Sequence, residues 1–260
     1  MKDVQYTMKD DPCSILNVKC SIFNEKCSMK KGSLTYKKEV LLKWWNSLDK
    51  DWKLAFNINL FLQSSLTMPE IEDDFRGMMI PEVFIYHFGN EKLEELKSLE
   101  PSIDEIKKII SLKMFLASNC NLKDLSPLKL LRNLKILELE SNPVDNAEAL
   151  KVLTDLEDLT LVINGKKPNQ LVIANLVNIV DLTFDPQNQE ELEILSNMPS
   201  LRTFYTELDF EPDLSVFKNF KNLHKIVGYS PSLGTESKIT LLELKNSGVE
   251  ISWNTLSETI

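Results

Sequence analysis

Residues 112–122 read LKMFLASNCNL, residues 134–144 read LKILELESNPV and residues 156–166 read LEDLTLVINGK. Apolar side chains stand at the first, fourth and sixth positions of each: Leu112, Phe115 and Ala117; Leu134, Leu137 and Leu139; Leu156, Leu159 and Leu161. The rhythm continues as IVDLTFDPQNQ from Ile179, LRTFYTELDF from Leu201 and LHKIVGYSPSL from Leu223, with a looser turn, GVEISW, ending on Trp253. The six regular starting residues are spaced 22, 22, 23, 22 and 22 apart. The apolar fourth and sixth positions follow the two-residue period of a short strand with one buried face. Apolar sites three residues apart come next, as in Leu125, Leu128 and Leu131 or Leu214, Phe217 and Phe220. That spacing suits a short helical or 3-10 return. Each unit therefore predicts a strand, a turn and a return limb. One unit cannot bury its own apolar side; a stack can, with the strands side by side in a parallel sheet.

Within this series, NLKILELESNPV (133–144) matches the pattern L-x-x-L-x-L-x-x-N/C-x-L, so the chain resembles the leucine-rich repeat proteins. Asn142 takes the asparagine position and Cys120 takes it in the preceding copy. The longer stretch CNLKDLSPLKLLRNLKILELESNPV (120–144) looks like the 22-residue class found in internalins and in phosphatase-regulating repeat proteins. The resemblance covers residues 103–245 and loosens toward the C-terminus, where the asparagine position reads Gln187, Asp209 and Pro231. It implies an α/β fold: a leucine-rich repeat solenoid with a parallel concave sheet and an N-terminal helical cap. Asn142 and Cys120 are expected to satisfy backbone groups at the turn after each strand.

The flanks divide the chain further. Residues 1–37 form a polar arm in which Cys13, Cys20 and Cys27 recur every seven residues. Zinc ligands come as close pairs with a fourth ligand nearby, so this reads as a sequence duplication and not as a metal site. Residues 38–102 read as the helical cap. Val40, Trp44, Leu48 and Trp52 recur every four residues, a helical stripe that covers the end of a core. Residues 63–88, with Pro69, Pro81, Glu70, Glu72, Asp73 and Asp74, read as a turn-rich, solvated link. Residues 103–245 hold the repeats. Residues 246–260 form a last strand and tail, with Trp253 over the second end of the stack.

Side chains at the third, fifth and seventh strand positions point away from the core. They include Met114, Leu116, Ser118 and Ile136, then the expected partner-binding set: Glu138, Glu140, Asp158, Thr160, Asp181, Thr183, Asp185, Thr203, Tyr205, Glu207, Lys225 and Tyr229. Acidic groups interleaved with aromatic ones suit a protein-binding face, the rings as anchors and the charge for orientation and on-rate. A partner with a basic patch is the expected complement.

Composition narrows the function. With 43% hydrophobic and 27% charged residues, the 260-residue chain is not a disordered polymer. A formal charge of −9 gives no general attraction to phosphate backbones, so nucleic acid is not an expected partner. No apolar run reaches the ~20 residues of a membrane span, and MKDVQYTMKDDPC lacks the apolar core of a signal peptide. A cytoplasmic monomer without membrane contact is expected. Catalytic motifs such as G-x-S-x-G, H-E-x-x-H or a Walker loop do not occur, and His87 and His224 are the only histidines. The sequence therefore assigns no catalytic residue, metal or cofactor and reads as a non-enzymatic binding module. The resemblance leaves two alternatives open: a regulatory subunit of an enzyme such as a protein phosphatase, or an internalin-type surface effector.

Overall fold

A computed structural model of the chain describes residues 29–30, 33–34, 36–163, 170–256 and 259. The cysteine heptads at Cys13, Cys20 and Cys27 lie outside them. The chain divides into two compact units, Met1–Asn46 and Ser47–Ile260. In the first, β1 (Met29–Lys30) pairs antiparallel with β2 (Ser33–Leu34). Helix α1 (Lys38–Ser47) sets Trp44 edge-on to Trp45, with ring centroids 6.4 Å apart.

The second unit opens on α2 (Lys50–Ser65), α3 (Met68–Phe75), α4 (Ile80–Ser98) and α5 (Ile103–Ile110). The four-residue stripe from Val40 to Trp52 is thus carried by two helices. Asp49 separates them: it is extended, and its carboxylate accepts from Asp51 N at 3.0 Å and Trp52 N at 2.9 Å. A capping aspartate starts a new helix in this way. Residues 63–88 are likewise more helical than their prolines suggest. Pro69 and Pro81 sit in the first turns of α3 and α4, where a missing N–H costs nothing. Glu70 caps its own helix by accepting from Thr67 N at 2.7 Å.

The repeats form a seven-stranded, wholly parallel sheet in chain order. Its strands are β3 (Met114–Leu116), β4 (Ile136–Glu138), β5 (Asp158–Leu161), β6 (Asp181–Phe184), β7 (Thr203–Glu207), β8 (Lys225–Tyr229) and β9 (Glu250–Asn254). The register sets like position beside like: Phe115 beside Leu137, Leu137 beside Leu159, and so on through Leu182, Phe204, Ile226 and Ile251. This column is closed to solvent along its length, Ile251 alone retaining 8% exposure. Return limbs cross behind the sheet. Four are 3-10 helices (Ser126–Leu130, Glu148–Val152, Gln170–Asn175 and Leu214–Asn219), and α6 (Gln189–Leu195) and α7 (Thr235–Asn246) are α-helices. Leu128, Leu150, Ile173, Leu192, Phe217 and Leu241 from these limbs are buried. The chain is a leucine-rich repeat solenoid built on a parallel sheet.

Asn142 does what its position in the pattern suggests. Its Oδ1 accepts from Cys120 N at 3.1 Å and Leu122 N at 3.0 Å, and its Nδ2 donates to Ala117 O at 2.7 Å and Glu140 O at 3.2 Å. One side chain thereby satisfies the turn of the preceding repeat as well as its own.

The two ends of the stack are closed differently. At the first, α2 lies along β3. Asn59 donates to Leu116 O at 2.7 Å and accepts from Leu116 N at 2.9 Å, as a neighbouring strand would, and Gln63 donates to Met114 O at 2.9 Å. Trp52 and Phe56 pack on Phe115, with ring centroids 5.9 Å and 5.0 Å away. At the other end Trp253 is not a lid laid on the stack but a core residue of β9, fully buried, 6.1 Å from the Phe217 ring and donating from Nε1 to Ser230 Oγ at 3.1 Å. Its indole occupies the space beside Gly228, where a Cβ would come within 2.3 Å of the ring. Among the described residues, no helix is long and apolar enough to cross a membrane.

Two substitutions test this packing. Leu159→Ala is expected to lower the unfolding free energy by ~2–5 kcal/mol through lost burial and a cavity. Gly228→Ala is expected to cost ~1–3 kcal/mol through collision with Trp253. Urea denaturation measures both.

Candidate functional site

The face of the sheet opposite the return limbs is not uniformly open. Over the first two strands it is largely covered, with Ile136 half-buried. Met114, Leu116 and Ser118, expected to point outward into solvent, are buried. Glu138 is 2% exposed. At Glu138 and Ser118 the short connection from α3 to α4 lies against it. Arg76 Nε donates to Glu138 Oε1 at 2.8 Å, Arg76 Nη2 donates to Asp158 Oδ2 at 2.6 Å, and Gly77 N donates to Glu138 Oε2 at 3.0 Å. Ile80 N then donates to Ser118 O at 3.0 Å. Gly77 makes the turn with a φ of 68°, a left-handed conformation that suits glycine.

Two members of the expected partner-binding set are therefore engaged within the chain. Glu138 is removed from any exposed surface, because both its oxygens are occupied and it is closed to solvent. Asp158 keeps partial exposure but is shared with Arg76. Burial pushes the Asp158 carboxyl above the ordinary carboxylate range, outweighing the hydrogen bond and charge of Arg76. Burial likewise works against the charge of Arg76, but the hydrogen bonds to Glu138 and Asp158 and their charges prevail and hold the guanidinium firmly protonated.

From β5 onward the face opens. A cavity of about 320 Å³ lies across the C-terminal ends of the later strands. Six of the expected residues line it: Glu140, Thr183, Asp185, Tyr205, Glu207 and Tyr229. Val162 and Val227 supply apolar wall, and Asn254 closes the far side. The strand register explains the gathering. Thr183 stands beside Tyr205, Tyr205 beside Val227, and Glu207 beside Tyr229, which in turn stands beside Asn254. Glu207 N donates to Asp185 Oδ1 at 2.7 Å, tying the rims of β6 and β7. Thr206 also lines the cavity, and its hydroxyl is buried with no hydrogen-bond partner among the described residues. Burial raises the Glu140 carboxyl above its ordinary value, and the charges of Glu138, Asp185 and Glu207 push it the same way.

The remaining expected residues stand apart from the cavity. Thr160, Asp181 and Thr203 are half-buried on the sheet outside it. Lys225 is turned to Glu250, with Nζ 2.7 Å from Oε1. Sequence reasoning missed Arg76, which sits in a stretch read as a solvated link, and Asn254, which follows the GVEISW turn by one residue. Only the continuation of β9 past Ser252 could have signalled Asn254.

Cys120 is buried, and burial pushes its thiol up to about 12, so it stays protonated. His87 lies tilted against Phe75, with centroids 5.1 Å apart, and His224 Nδ1 contacts Asn222 O. Among the described residues, no group of three or more His, Cys, Asp or Glu side chains is placed to hold a metal ion.

Neither a protein-family model nor a curated protein matches the chain. Among solved structures, it is similar to internalin C2 of Listeria monocytogenes, at 19% identity over 49% of this chain and 66% of that one, with a TM-score of 0.40. It is also similar to internalin F of the same organism, at 15% identity over 62% of this chain and 53% of that one, with a TM-score of 0.39. The chain thus spans between about half and two thirds of the length of these two structures.

Arg76→Ala leaves Glu138 charged and enclosed, so a loss of ~2–4 kcal/mol in unfolding free energy is expected, as when one partner of a buried pair is removed. The double variant Arg76→Ala/Glu138→Gln should recover part of it, measured by urea denaturation. For Glu140 the raised folded-state pKa means that ionisation opposes folding. The penalty is absent below the ordinary carboxylate range and sets in as pH rises through the raised value. Glu140→Gln is therefore expected to be more stable than the wild type at neutral pH, with the gap closing in acid; thermal melts across pH read this out.

Proposed function

We propose that the chain is a non-enzymatic protein-binding module, a monomer that holds a basic patch of a protein partner against the open half of its sheet. The supporting observation is the cavity itself. It combines two tyrosines, two valines and three carboxylates on the part of the face that Arg76 leaves uncovered. Aromatic anchors within a concave surface supply contact area at low conformational cost, and the carboxylates favour a cationic complement. The face is thereby narrower than the full set of outward columns: Glu140, Thr183, Asp185, Tyr205, Glu207 and Tyr229 form its centre, with Thr160, Asp181, Thr203 and Lys225 as rim. Glu138 and Asp158 act as the internal tether of the adjoining half.

The test places a photo-crosslinking amino acid at Thr183, inside the cavity, or at Glu193, on the return limb behind it. Cross-linking of one protein from native lysate at position 183 and not at 193 is expected. Charge reversal of Glu140, Asp185 and Glu207 should abolish it and flatten its salt dependence. Equal labelling from both positions, or capture indifferent to the triple reversal, would refute the assignment.

A further inference from the structure

The chain itself contains an example of what the outward columns of this sheet bind. Arg76 is brought in from outside the repeats and lays its guanidinium on two carboxylates from adjacent strands, Glu138 at 2.8 Å and Asp158 at 2.6 Å. Further along the same face the carboxylates recur, now with aromatic neighbours. Tyr205 and Glu207 are two residues apart on β7, hence on one face, and Tyr229 stands directly beside Glu207 on β8. All three line the 320 Å³ cavity, so two rings flank one carboxylate in a concave setting. Glu207 has no cation paired with it among the described residues. A planar cation meets each part of this arrangement: it stacks on a ring face, and its N–H groups reach a carboxylate as a fork.

We propose that the space between Tyr205, Glu207 and Tyr229 is the seat of one arginine side chain of the partner protein, its guanidinium lying against the tyrosines and donating to Glu207. This rests on the sheet face being the docking surface and specifies its anchor. Glu140 and Asp185, on the same wall, add negative potential without needing to touch the ligand. Burial first, and then the charges of Glu138, Asp185 and Glu207, raise the Glu140 carboxyl, and a cation arriving nearby offsets the second of these causes. A lysine would find the same charge but could not form the fork or stack as a plane. The neutral isostere citrulline would keep the shape and lose the charge.

The experiment titrates the full chain, with its tyrosine rings isotopically labelled, with the capped tripeptide acetyl-Gly-Arg-Gly-amide and with its citrulline and lysine counterparts. Saturable shifts are expected at Tyr205 and Tyr229 and not at the exposed Tyr86. Binding of the citrulline and lysine peptides is expected to be weaker by roughly ten-fold, the scale of one charge-assisted or cation–π contact. Glu207→Gln should weaken the arginine peptide to the level of the citrulline one. Because Glu207 is exposed, this variant should melt with the wild type, so loss of binding is not loss of fold. A citrulline or lysine peptide that binds as tightly as the arginine peptide, shifts at Tyr86 matching those at Tyr205, or an unaffected Glu207→Gln variant overturns the proposal. Should these fail while cross-linking from position 183 persists, the docking face stands and only its anchor is lost; should both fail, the face is lost as well.

Discussion

A short parallel strand leaves every backbone N–H and C=O on both of its edges in want of a partner, and a stack of such strands passes that want along to its ends. In the interior, the next repeat meets it, and Asn142 extends the same service to the turns. At the first edge no further strand stands among the described residues, and Asn59 and Gln63 of α2 bond the backbone of β3 in its place. Two amide side chains on a helix thus end the sheet. Trp52 and Phe56 bury the apolar side of the same repeat, so α2 closes both the polar edge and the greasy one.

Having an N-terminal helical region against the first repeat has a consequence for the sheet face. The connection that returns from α3 to α4 reaches the outward face at β4 and β5, and Arg76 is tethered there. Two carboxylates that would repel each other are held together by one cation, which also makes the charge of Glu138 tolerable in a dry setting. The acidic face is therefore divided into a half bridged by Arg76 and an open half. Beyond that bridge, burial and the charges of Glu138, Asp185 and Glu207 together raise the Glu140 carboxyl.

At the far end the packing is tight for a different reason. Gly228 replaces the large apolar residue that other repeats place at the same point, such as Leu139 and Phe184, and Trp253 from β9 fills the room. The core column is therefore continued by a residue from the neighbouring strand, which ties β8 and β9 together. The same glycine lines the cavity, so its floor is as firm as that packing.

The repeat, its strands and its buried columns were legible in the residues because they follow from local periodicity: an apolar site every second residue in the strand and the same site again about one repeat later. Nearly all the cavity's polar and aromatic lining was legible too, since strand alternation alone assigns Tyr205, Glu207 and Tyr229 to the outward side. Prolines misled the reading of residues 63–88, because Pro at a helix start and Pro in a loop look alike until the rest of the helix is seen. What only the tertiary structure decided is which part of the acidic face is free. Arg76 meets partners 62 and 82 residues away in the chain. No period connects those positions, and the contact exists only because α2 and α3 fold back along the first repeats. Rhythm fixes what repeats, whereas a single long-range ion pair depends on where the chain comes to rest.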